Sequence, residues 1–314
     1  MKLAAVSAVL VGACGGHGAS HVDAAARCRP FFVTAPGDAS EVQPVWADDS
    51  WAIARPGTYV RIDDAGTLTN ASLPGLDGTS IAYDGVELGY FVPTPVPHVA
   101  LFTPGDVSTL HDSPAFGTSP AYAGTVAADP SGAPRIAAYF SFSQAGGQTW
   151  GWSDGTSQAG ALDVLALVLA ADGHTTASLH RCHSISCNQT PPWTVIDGPA
   201  SGVIIATTDT SQPQLVASPN VAIYRNASGA WKIEATMATP IITPPLAWNG
   251  SAFVTYAHDQ SLLLRYDADF QPIDMTPLVL TGTTLLGVGA SPGRTLLVLA
   301  SATPSSVDYV QVCL

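Results

Sequence analysis

The sequence predicts an all-β protein, a seven-bladed β-propeller, and three observations predict it. The composition favours strands. One strand–turn–strand pattern recurs at a spacing near 40 residues. The last recurrence is one strand short, and the N-terminal end of the domain holds a strand that completes it.

Hydrophobic residues make up 46% of the 314 and charged residues only 11%, so a sizeable core can be buried and disorder is excluded. Charged helix formers are scarce: the lysines are Lys2 and Lys232, and the glutamates are Glu41, Glu87 and Glu234. Val, Ile, Thr and Tyr are plentiful, as strands require. The 29 glycines and 25 prolines supply turns. A net charge of −13 without a basic patch argues against a nucleic-acid partner. The plain reading of that charge is solubility, set against a specific cation-binding role.

Taken in order, residues 1–13 read as an export signal. Lys2 is the positive start and Leu3 to Ala13 an apolar run, too short to span a bilayer as a helix. The run ends in LVGAC, a lipobox-like sequence in which Cys14 becomes the lipidated N-terminus; an ordinary signal peptide cut nearby is the alternative. Residues 14–27, small and polar, read as a flexible tether. The absence of Asp after Cys14 favours the outer membrane. Residues 28–314 are the propeller domain.

The repeated units begin with PVWADDSWAIA from Pro44 and SIAYDGVELGYF from Ser80. They continue with TVAADPSGAPRIAAYF from Thr125, LALVLAADGHTTASLH from Leu165 and VIIATTDTSQPQLVAS from Val203. LAWNGSAFVTYA from Leu246 and LLGVGASPGRTLLVLA from Leu285 complete the series. The turn anchors are Asp48, Asp84, Asp129, Asp172, Asp209, Asn249 and Ser291, 36 to 45 residues apart. A single four-stranded blade cannot bury both faces, so such units stack radially. The Trp and Tyr residues of the units read as packing between blades. The final unit offers three strands, and RCRPFFVTAP near residues 27–36 supplies a fourth. Six blades remain open if residues 118–198 form one blade with a long insertion.

Five cysteines are an odd count for an exported chain. Lipidation accounts for Cys14. Cys28 and Cys313 would lie on neighbouring strands once the ring closes, within disulfide reach. Cys182 and Cys187, in CHSISC, form a local disulfide, remain free thiols, or join His174, His180 and His183 at a metal; no zinc spacing matches.

VAADPSGAPRIAAYF followed by GGQTW, and IYRNASGAWKIEA, resemble repeats of bacterial exported β-propellers, especially myxobacterial-type lipoproteins. LAWNGSAFVTYA followed by RYDADFQPID resembles a second repeat style of the same group. The resemblance covers most of residues 40–300 and implies architecture rather than chemistry. Ser143 to Trp150, SQAGGQTW, is similar to the Asp-box turn of sialidase-like propellers, with Ala145 at the aspartate position. That turn is structural in the resembled family.

No glycosidase carboxylate pair can be singled out, and the nine arginines scatter. Arg61 and Arg265 fall at equivalent points of their repeats. DDAG at Asp63 and DADF at Asp267 hold close Asp pairs, read as turns rather than calcium loops. No nucleophile elbow, phosphate loop or zinc-protease motif occurs. The expectation is a monomeric, lipid-anchored binding or scaffolding module for an envelope protein or glycan, without catalytic residues, metal or cofactor. The alternatives are a carbohydrate-active hydrolase or lyase working at the channel mouth and a purely structural envelope protein.

Overall fold

The computed structural model describes residues 28–314, apart from 77, 79, 119, 122, 129–132, 142–147, 156, 161–162, 170–175, 182–192, 198–202, 207–213, 219, 227–228 and 235–236. It places 28 strands in seven four-stranded antiparallel sheets. Strand β1 (Phe31–Pro36) comes first. The first sheet holds β2 (Val45–Ala47), β3 (Ser50–Arg55), β4 (Thr58–Asp63) and β5 (Leu68–Ser72). The second holds β6 (Ala82–Tyr83), β7 (Leu88–Val92), β8 (His98–Thr103) and β9 (Asp106–Asp112). The third holds β10 (Ala123–Ala128), β11 (Ile136–Ser141), β12 (Gln148–Trp152) and β13 (Ser157–Gly160). The fourth holds β14 (Asp163–Leu169), β15 (Thr176–Arg181), β16 (Trp193–Asp197) and β17 (Val203–Ala206). The fifth holds β18 (Gln214–Ala217), β19 (Ala222–Asn226), β20 (Gly229–Glu234) and β21 (Met237–Ile241). The sixth holds β22 (Leu246–Trp248), β23 (Phe253–Ala257), β24 (Leu262–Tyr266) and β25 (Pro272–Pro277). The last combines β26 (Thr284–Ser291), β27 (Arg294–Ala300) and β28 (Ser306–Cys313) with β1 at its outer edge.

The first strand of each sheet touches the first strand of the next, and β26 touches β2, so the series closes into a ring of seven. Residues 118–198 fall into two sheets, β10–β13 and most of β14–β17, not the single blade that a ring of six needs. The innermost strands wall a central channel, and burial falls outward. All six residues of β3 are buried, whereas β9 and β25 on the rim are largely exposed.

The full burial of β3 follows from the two-residue period of a strand. Trp51 and Ile53 point to the last sheet and pack with Leu296, Val298, Val307 and Tyr309. Ala52 and Ala54 point to the second sheet and pack with Leu88, Tyr90, Ala100 and Phe102. Large residues on one face and small ones on the other let adjacent twisted sheets interdigitate. On β23, Val254 and Tyr256, with Leu263 of β24, pack against Val288, Leu297 and Val310, while Phe253 on the other face packs with Val216 and Ile223.

Closure runs through β1. It pairs along its length with β28, from Phe31 opposite Gln311 to Pro36 opposite Ser306. Cys28 and Cys313 are bonded at the end of this pair, with Cα atoms 5.7 Å apart. Close approach on the inner side needs glycine. A Cβ on Gly287 of β26 would lie 2.1 Å from the Val42 carbonyl oxygen, and one on Gly289 would meet Pro44 and Trp51 within 2.8 Å.

One repeat boundary differs from the sequence reading. Asp209, like the anchors Asp129 and Asp172, lies outside the described residues, but the strands before and after it, β17 and β18, belong to different sheets rather than to one hairpin. The inner hairpin of the fifth sheet turns at Ser218–Val221 instead, where the Ser218 hydroxyl accepts from Asn220 N and Val221 N. A crossing between sheets and a turn within one are both short polar breaks between apolar strands, so the pattern alone does not separate them.

Candidate binding channel

The turns joining first to second strands ring one end of the channel. In WNGS the Asn249 Oδ1 accepts from Ser251 N and Ala252 N, which tightens the turn after Trp248. Asp48 holds the matching place after Trp46, in left-handed backbone at φ 54, and its carboxylate accepts from the Tyr83 hydroxyl. Burial, and then that bond to Asp48, raise the Tyr83 phenol above its usual pKa, so it stays a donor.

Behind these turns lies a cavity of about 440 Å³. Its walls come from β2, β18, β22 and β26 and the chain just before β2 and after β26. Ten of its thirteen lining residues are apolar; the polar ones are Gln43, Asn249 and Ser291. Two tryptophans, Trp46 and Trp248, are partly exposed on its wall. Sequence reasoning took both as packing between blades, and a buried companion does fill that role: Trp51 is 0% exposed. Hydrophobicity identifies an aromatic residue on an inner strand but not which way the ring turns it.

An arginine network braces this end. The Arg294 guanidinium lies 3.9 Å over the Trp46 ring and donates to Asp64 at 2.6 Å. Gln311 donates to the same Asp64 oxygen at 3.0 Å and to the Arg29 carbonyl at 2.6 Å, while accepting from Trp51 Nε1 at 2.6 Å. Arg294 and Gln311 are 8% and 1% exposed, so these bonds satisfy groups that would otherwise be buried without partners. They tie the first sheet to the closing one beside the disulfide.

The opposite end is strapped. Residues 37–44 cross the last sheet, where Val42 N donates to the Leu286 carbonyl at 3.1 Å. Glu41 then takes both guanidinium nitrogens of Arg225 on β19 at 3.1 Å each. Glu41 rides on the strap over the last sheet, which the sixth sheet separates from the fifth, so this bidentate pair reaches across the channel end. Asp38 anchors the strap to Arg55. A smaller crevice of about 210 Å³ lies beside that anchor.

The residues singled out from sequence fall as follows. Cys14, Cys182 and Cys187 lie outside the described residues, as do His174, His183 and positions 143–147 of the Asp-box-like stretch. Arg61 and Arg265 occupy matching third strands and pair with Asp49 at 2.8 Å and Asp274 at 3.0 Å. Asp63 Oδ1 accepts from Ala65 N and Thr67 N, and Asp267 Oδ1 from Asp269 N and Gln271 N, so both aspartates build turns. Among the described residues no cluster of three or more His, Cys, Asp or Glu is placed to hold a metal. No helix among them is long and apolar enough to cross a membrane.

No family model and no curated protein matches the chain. Solved structures do resemble it. A chain of a mitotic checkpoint complex is 14% identical, with 98% of this chain and 99% of that one covered at a TM-score of 0.54. The WD40 β-propeller domain of Doa1 is 11% identical over 90% of this chain and 97% of its own, at 0.51. Virginiamycin B lyase from Staphylococcus aureus is 11% identical over 90% of this chain and 100% of its own, also at 0.51. These likenesses establish the β-propeller fold, which a WD40 domain and a lyase share.

Proposed function

We propose that the protein is a non-catalytic binding module, exported and held at the outer membrane by lipid on Cys14, whose channel receives part of a partner protein. The observation that carries this reading is the cavity of about 440 Å³ walled by apolar strands and two tryptophans. A concave, mostly apolar site with a few placed polar groups is the usual form of a binding pocket. Three polar side chains are few partners for the many hydroxyls of a glycan, which need matched donors and acceptors when desolvated. An apolar side chain of a protein suits the same walls better.

The test is photo-crosslinking in living cells from a benzophenone amino acid placed at Ala217 on the cavity wall. One reproducible adduct with an envelope protein is the expected result. Turnover of a glycan by the purified protein, with no adduct, would establish the hydrolase or lyase reading instead. Cys14→Ser tests the anchor. It should move the protein from the membrane fraction to the soluble one, and an unchanged distribution refutes lipidation at Cys14.

A further inference from the structure

The open end of the channel carries a charge pattern that its apolar walls do not explain. Of the arginines near it, Arg61 pairs with Asp49 and Arg294 with Asp64, while Arg29 is exposed. Asp48, Asp63, Asp84, Asp106 and Asp267 sit on the same side, in turns after first or third strands. Each is hydrogen-bonded by neutral donors. A hydroxyl or amide stabilises a carboxylate without cancelling its charge. That face is therefore negative, with Asp48 at the turn after the cavity-lining Trp46 and the other four on turns farther out, on a chain whose net charge is −13. Such a field draws in cationic partners and turns away anionic ones.

We infer that this end docks a basic protein segment, one apolar side chain entering the cavity while flanking lysines or arginines face Asp48 and the other turn aspartates of this side. The inference rests on the binding-module reading and specifies its partner. Trp46 already carries Arg294 over one face, which leaves Trp248 as the aromatic wall not engaged by a cation. Aromatic anchors in a desolvated hollow dominate binding energy, whereas rim charges govern association rate and salt dependence.

The experiment is calorimetric titration of the full chain with three blocked pentapeptides, acetyl-Lys-Lys-Phe-Lys-Lys-amide and its counterparts with four glutamates or with alanine for phenylalanine. The lysine–phenylalanine peptide should bind saturably and more weakly as salt rises. Trp248→Ala should weaken it about tenfold or more. Asp48→Asn, which keeps the acceptor for Tyr83 and tolerates the left-handed backbone, should weaken it about two- to threefold. Equal binding of the glutamate peptide overturns the basic partner while leaving the channel a binding site. So does a crosslinked envelope protein with none of the peptides bound. Binding indifferent to Trp248→Ala removes the cavity from the account altogether.

Discussion

At the scale of single residues, the stability of the closing interface rests on Trp51 and Gln311. The indole N–H and the amide oxygen are both buried and meet at 2.6 Å. Trp51→Phe keeps the ring in the interface but leaves the amide oxygen without its donor. It should cost about 1–3 kcal/mol in urea unfolding, and an unchanged midpoint would show that water replaces the indole. Two buried phenols set the alkaline limit. Burial pushes Tyr59 up to about 12, and burial with the nearby Asp112 charge pushes Tyr90 to about 12. An unfolded tyrosine ionises near pH 10. The folded pKa values are raised, so the stability they contribute is complete below about pH 10 and is lost as pH climbs toward about 12. Absorbance at the phenolate band should show these two tyrosines titrating late and together with unfolding.

At the scale of the strand, β26 shows what a ring demands of its inner members. Gly287 and Gly289 leave room for the chain ahead of β2 to lie directly on the backbone. Gly287→Ala should destabilise the protein by at least about 2 kcal/mol, because the obstacle is a carbonyl rather than a side chain free to rotate. A stability loss below about half that would show that the chain ahead of β2 shifts at little cost. Strand-level features of this kind divide what the sequence reveals from what it hides. Hairpins at Asp84 and Asn249 are legible because their turn chemistry is local, the side chain bonding amides two or three residues on, and the one at Asp48 because aspartate tolerates the left-handed turn. The strand deficit of the last unit is legible by counting. The misplaced break at Asp209 is not, since local polarity is the same within a sheet and between sheets. Trp46 and Trp248 were visible as aromatic residues on inner strands, but not as cavity wall. The Arg294–Asp64 pair joins residues 230 apart and exists only once the ring has closed.

At the scale of the whole molecule, the two ends of the domain meet in one sheet, and a covalent bond between positions 285 apart fixes them there. Replacing Cys28 and Cys313 by serine should lower stability by roughly 2–5 kcal/mol, since the unfolded chain regains the freedom of a very large loop. The comparison to make is the urea midpoint of the double variant against that of the oxidised protein. Equal midpoints would mean that edge pairing and the Arg294 network close the ring unaided. The position of the bond also governs how the molecule bears mechanical load. Any tug arriving through the residues ahead of Cys28 enters the folded body at a sulfur atom and passes straight to β28. The six residues of β1 lie off that line of force, so such a pull leaves the sealing strand slack instead of peeling it away.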